Sequence, residues 1–165
     1  QVGIWLLPVS AAPDADRQAR RVTSRPGYSL FQARFSPDGR WITFVAQKRI
    51  GVTASTIYVV PAKGGEWARI TGEETWADKP CWAPNGKTIY FLYSRGGFLN
   101  VWAQSFDPVE GKPVGEPFPV TSCHSPSHMV LDRTGSADIG VSPDRLVLPI
   151  KQVTGNVWVL EDVDR

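Results

Sequence analysis

The stretch 31–71 reads FQARFSPDGRWITFVAQKRIGVTASTIYVVPAKGGEWARIT. It constrains the fold more than any other feature, because it returns. It holds four apolar pulses: Phe31 to Phe35, Trp41 to Ala46, Ile57 to Val60 and Arg69 to Thr71. Each pulse is short and rich in β-branched or aromatic residues, the chemistry of strands. The gaps carry turn residues: Ser36-Pro37-Asp38-Gly39, then Gly51 to Ser55, then Gly64-Gly65. In the first of them Pro37 pre-sets φ for a corner and Gly39 tolerates a positive φ. Asp38 accepts hydrogen bonds from nearby backbone N–H groups. Four short strands in succession predict one antiparallel meander with strands a, b, c and d.

The same order of signals recurs. Lys79 to Trp82 answers Gln32 to Phe35, and Ala83-Pro84-Asn85-Gly86 answers the Ser-Pro-Asp-Gly turn. Thr88 to Tyr93 answers strand b, Val101-Trp102 answers Ile57-Tyr58, and Val120-Thr121 answers Ile70-Thr71. A third copy starts at Ile139, repeats the turn as Val141-Ser142-Pro143-Asp144 without its glycine, and continues through Leu146 to Ile150 and Val157-Trp158-Val159. A partial copy stands in front: Ile4-Trp5-Leu6 reads as strand c and Arg21-Val22-Thr23 as strand d. The spacing is 47 residues from Pro37 to Pro84 and 59 from Pro84 to Pro143. A period of this length with four strands per unit predicts an all-β β-propeller. The expected layout is a single propeller region, 1–165, of about three to three and a half blades: a remnant at 1–23 and blades at 31–71, 79–121 and 139–165.

The run aromatic-Ser-Pro-Asp-Gly, an apolar strand, Ile-Tyr-Val, Gly-Gly and Ile-Thr resembles the WD40-like PD40 repeat of TolB-type propellers. The resemblance covers nearly the whole chain. The first copy matches best. The second has Ala83 and Asn85 for Ser and Asp, and the third must turn differently. The closing Gly155-Asn156-Val157-Trp158 resembles the last blade of propellers at the C-terminus of larger bacterial proteins. In such proteins the propeller often follows a kinase or winged-helix regulatory domain; others are periplasmic. The resemblance therefore implies a sensory or docking module of a larger bacterial protein, with the compartment open between the periplasm and a membrane-anchored or cytoplasmic regulator. Similar propellers gate the active site of prolyl-oligopeptidase-type peptidases, and some related ones are polysaccharide lyases. The propeller part of such an enzyme is the alternative.

Hydrophobic residues make up 42% of the chain and the net charge is +2. A core is well supplied, and no strong electrostatic partner is implied; nucleic-acid binding would need a stronger basic stripe. No apolar run approaches the length of a membrane span. Seven tryptophans are expected chiefly as wedges between blades. Beginning at Gln1, nearly inside a strand, the chain reads as a piece of a longer one. Residues 11–20 suit either a helical turn capped by Asp14 or a surface loop. Residues 106–119, with Pro108, Pro113, Pro117 and Pro119, read as an extended c–d excursion at the outer rim, and 122–137 as the longest and least regular blade connection.

The segment Cys123-His124-Ser125-Pro126-Ser127-His128 holds metal-ligand types, but Pro126 breaks a helix between the histidines and Cys81 is the only other thiol. The expected reading is a loop that packs Cys123 and Met129 and exposes the histidines, with no metal or other cofactor. Cys81 in strand a and Cys123 after strand d stand too far apart to bridge. No Gly-x-Ser-x-Gly elbow or phosphate loop is present, and Ser36 and Ser142 sit in turns that the repeat explains. The reading is a non-catalytic scaffold for protein or ligand binding. In a propeller the b–c loops and d–a connections share one face. Lys48, Arg49, Arg95, Arg133 and Lys151 fall there and form the candidate docking face for a protein partner, with acidic Glu73, Glu74 and Asp78 among them. Fewer than four blades cannot close a ring. Open blade faces carrying Trp5, Trp158 and Val159 are expected either to self-associate or to be covered by further blades.

Overall fold

A computed structural model of the chain describes residues 2–9, 18–48, 54–73, 75–125, 127–130 and 137–155. Residues 11–17 of the proposed helical turn at 11–20 and the third strand c at 157–159 lie outside these residues, as do Arg49, Arg133 and Trp158; residues 18 and 19 are not helical and Arg20 opens a strand. The described residues form strands, turns and irregular segments, with no helix.

At the front, β1 (Gly3–Leu6) pairs antiparallel with β2 (Arg20–Ser24). The first full blade is β3 (Tyr28–Phe35), β4 (Trp41–Lys48), β5 (Ser55–Pro61) and β6 (Ala68–Arg69), hydrogen-bonded in that order. The second is β7 (Ala77–Trp82), β8 (Thr88–Arg95), β9 (Phe98–Asp107) and β10 (Lys112–Pro119), again in meander order. The third region holds β11 (His128–Val130), β12 (Gly140–Val141), β13 (Leu146–Val147) and β14 (Ile150–Gln152).

Alternation along the strands sends side chains to two different cores, as the two-residue period requires. From β4, Ile42, Phe44 and Ala46 join Tyr58 and Val60 of β5 against Ile4 and Val22 of the front pair. Val45 points the other way, with Ile57 and Val59, onto Ala77, Ile89 and Phe91 of the second blade. Leu92, Leu99 and Val101 then face Val130, Ala137 and Ile139 of the third. The middle strands of each full blade thus lie between apolar wedges on both faces. Tryptophans serve the wedges, as the sequence leads one to expect. Trp82 stacks edge-on against Phe106 at 5.2 Å, and Trp67 against Phe44 at 4.9 Å. Trp67 also donates to the Thr23 hydroxyl at 2.7 Å, tying the front pair to the first blade. Trp5, on the outward face of β1, stays 55% exposed.

The recurring polar residues hold backbone. Ser36 accepts from the N–H of Trp41 at 2.9 Å and donates to Asp38 at 2.6 Å. Gly39 and Gly86 take φ 70° and 68° in the corresponding corners. With no glycine the third turn closes earlier: Ser142 N–H reaches Arg145 O at 2.9 Å, whereas Ser36 N–H reaches Trp41 O. The Ile-Thr and Val-Thr anchors have one role. Where strand d ends, the Thr71 hydroxyl accepts from Ile57 N–H at 3.0 Å, and Thr121 accepts from Val101 N–H at 2.9 Å. Thr71→Val and Thr121→Val each orphan a buried N–H, so each is expected to cost about 1–3 kcal/mol in urea unfolding. A loss below a few tenths in both would show that the N–H finds another partner.

Three expectations are corrected. Residues 106–119 are not an excursion: β9 runs to Asp107, a tight turn follows, and β10 returns along β9. Prolines are tolerated there because β10 is the outer edge strand, whose outward N–H groups have no ladder partner to lose. Its ladder breaks between Val114 and Phe118, where the buried Gln104 amide donates to Val114 O and Gly115 O at 2.9 and 3.1 Å. Residues 122–137 are not all connection, for they contain β11. And strand b of the third region is not continuous over 146–150. Its halves β13 and β14 flank Leu148-Pro149 and pair with β12 and β11 respectively.

Candidate functional site

The strands of the first and second blades reach a common rim at the b–c end. Tyr28 opposes Lys48 at the end of β4, and counting along the ladders makes Arg95 the equivalent of Lys48. Lys151 opposes Met129 as Gln47 opposes Ser29, one step earlier, so its side chain leaves the other face of its strand. Lys48 and Arg95 each have a partner in the fold. Lys48 Nζ lies 3.7 Å from Glu73, and the Arg95 guanidinium lies 5.3 Å from the centre of the Trp102 ring. Arg49 and Arg133 are outside the described residues.

Glu73, expected in a solvated connection, gathers three partners. It faces Lys48, takes Arg69 at 3.6 Å, and accepts from the Tyr58 hydroxyl at 3.1 Å. All three ionic side chains are about half exposed, so the ion pairs are individually weak. Tyr58 is the buried member. Burial first, then the charge of Glu73 and its hydrogen bond, push the phenol from 10.0 up to about 12. Since the folded value is raised, this contribution to stability is whole below pH 10 and is lost as pH rises toward 12. A spectrophotometric titration is expected to show one late-ionising tyrosine, which Glu73→Gln moves back toward 10. An unchanged titration would remove Glu73 as a cause. A shallow cleft of about 290 Å³ lies here, lined by Tyr28, Lys48, Thr56, Tyr58 and Glu73.

The inner strands carry the second feature. In β3 the ladder shifts between Phe31 and Arg34, and in β7 between Asp78 and Cys81. These are β-bulges at the same level of adjacent blades, each led by a non-glycine residue in the left-handed region: Gln32 and Lys79, both at φ 54°. Such backbone is costly for an L-residue and persists where the surroundings hold it. Here Gln32 Oε1 accepts the N–H of Lys79 at 2.9 Å, so one bulge clasps the next. Asp78 accepts the same N–H at 2.9 Å and is 5% exposed. The expectation that Asp78 lies in a surface connection is therefore corrected: it belongs to β7 and is buried. Burial raises its carboxyl above the ordinary range, against the Lys79 N–H bond and charge that lower it. In the third region the inner strand is parted at this same level. Three residues separate Leu30 from Arg34 in the first blade, and nine separate Val130 from Gly140 in the third. Asp138, in that wider interval, reaches Arg34 at 3.7 Å. Cys81 sits beside them, its thiol pushed up chiefly by burial.

A groove of about 330 Å³ opens between the two bulges. Phe31, Gln32 and Gln47 come from the first blade, and Trp76, Asp78 and Lys79 from the second. Sequence reasoning missed it, because the bulges that make it are relations between strands. The only local signal was Asp78 next to Lys79 at the head of a strand. Elsewhere, His124 and His128 are exposed, and His124 Nδ1 lies 2.6 Å from Ser122 O. Among the described residues no group of three or more His, Cys, Asp or Glu side chains is placed to hold a metal, and both cysteines are free thiols.

No family model matches the chain. A Bacillus subtilis (strain 168) protein described as the uncharacterized peptidase YuxL is 33% identical over 83 residues, which is 47% of this chain and 12% of that protein. Among solved structures, a prolyl endopeptidase superposes with a TM-score of 0.52 at 16% identity, over 83% of this chain and 21% of its own. A putative TolB from Agrobacterium tumefaciens aligns over 84% of this chain and 66% of its own, at 12% identity and a TM-score of 0.39. The chain thus spans a small fraction of the peptidase relatives it matches. The endopeptidase superposition and the successive four-stranded meanders agree on the fold: this is an all-β chain of β-propeller blades.

Proposed function

We propose that these residues form a non-catalytic β-propeller scaffold that binds a protein or a ligand at the b–c rim and the inner groove. One observation carries this reading: the recurring reactive side chains are engaged in holding backbone. Ser36 and Ser142 bond their own turns, and Thr71 and Thr121 cap strand c. None of the four is hydrogen-bonded to a histidine among the described residues, the pairing that commonly activates such a nucleophile. A fluorophosphonate probe is expected to leave Ser36 and Ser142 unlabelled, and the purified chain is expected not to hydrolyse chromogenic peptides. Stoichiometric labelling or turnover would overturn the reading. For the docking face, reversing Lys48 and Arg95 to glutamate should weaken partner capture; equal capture by both proteins would remove that face from the proposal.

A second reading is favoured by the two peptidase likenesses. In it the scaffold is the propeller part of a larger peptidase, and it screens substrates while another domain cuts them. Deleting blades from the complete enzyme should then let larger peptides be cleaved. Unchanged size selectivity would argue against it.

A further inference from the structure

We infer that the groove between the two inner bulges is a binding site for a neutral sugar unit of an oligosaccharide. This deepens the ligand-binding side of the scaffold reading and rests on it. The groove combines two kinds of surface. Phe31, 36% exposed, offers ring surface, which attracts the C–H face of a pyranose. Around it the lining residues are polar: Gln32, Gln47, Asp78, Lys79 and Ser55, whose hydroxyl already donates to Ala77 O at 2.7 Å. Donors and acceptors are therefore interleaved, as a ligand bearing several hydroxyls needs.

Other ligand classes fit less well. A lone ammonium would meet Lys79 beside Asp78, the one acid among the described residues that line the groove, and a lone carboxylate would meet Asp78. An extended peptide would add to the open edges of β3 and β7. Both edges are interrupted there by bulges with left-handed residues, which break the ladder such a peptide would extend. A sugar needs no continuous edge. The clasp from Gln32 to Lys79 holds the groove in shape before anything binds, so little ordering is required on binding.

Maltotriose, cellotriose, mannotriose and chitotriose are the probes, titrated into the purified chain with tryptophan fluorescence and saturation-transfer NMR as readouts. At least one should bind saturably with a Kd of about 0.1–1 mM. Phe31→Ala and Gln47→Ala, both outside the buried core and checked by circular dichroism, should each weaken it about tenfold. No saturable binding of any probe up to about 10 mM, or binding indifferent to both substitutions, overturns the inference. So does tighter binding of phenethylamine or succinate, which would reassign the groove to a cation or an anion. Cleavage of a bound trisaccharide would overturn the scaffold reading and leave the sugar site standing; absence of binding would do the reverse.

Discussion

Phe91→Ala is expected to destabilise the protein by about 3–5 kcal/mol, the range for emptying an aromatic site in a packed core. Phe91 is fully buried in the wedge between the first and second blades, in one cluster with Val45, Ile57, Val59 and Ile89. Its ring stands edge-on to Tyr93 at 5.9 Å. The walls of that cavity are two sheets whose spacing is set by many other contacts, so they have little freedom to close on the gap. In a domain of this size such a loss lowers the melting midpoint by roughly 10 °C. Phe35→Ala is the control: that ring is 53% exposed, and its loss should stay within about 0.5 kcal/mol. Urea midpoints of the two variants decide the matter. A loss below about 1 kcal/mol for Phe91→Ala would mean that the blades are not packed through this wedge.

Gly111→Ala should cost about 2–4 kcal/mol, from two independent sources. Gly111 sits at φ 70° in the β9–β10 turn, where a Cβ strains the backbone. That Cβ would also overlap the six-membered ring of Trp41. The indole is held in place from two sides: its N–H donates to Pro108 O at 3.1 Å and its ring meets Phe106 edge-on at 5.6 Å. Gly97→Ala separates the two sources. Its φ of 85° carries the same backbone penalty, but open space surrounds it, so it should cost only about 1 kcal/mol. Equal losses would show that Trp41 swings away freely. A larger loss at Gly111, with a changed near-ultraviolet tryptophan signal, would confirm that this turn is locked onto the neighbouring blade.

Much of the fold was legible because its signals are local. Proline, aspartate and glycine in one corner specify a turn from their own dihedral preferences, and Ile57-Tyr58-Val59-Val60 is a strand by composition alone. Recurrence of these signals in one order was enough to name blades, and the Thr71 and Thr121 anchors proved to be equivalent hydrogen-bond acceptors. What escaped depends on which strand lies beside which. Pro113, Pro117 and Pro119 argue against a strand until β10 is known to be an edge. Glu73 and Asp78 look alike in sequence, five residues apart and acidic. Yet one sits half-exposed at the rim among cations and the other is buried in a bulge. A bulge adds one residue to one strand relative to its partner, so no composition announces it; only the paired ladder does. The chain by itself determined the repeat, the turns and the wedge residues, since each follows from properties of neighbours in sequence. Tertiary structure alone decided the parted inner strand of the third region, the clasp of Gln32 on Lys79 and the burial of Asp78, because those arise where adjacent blades meet.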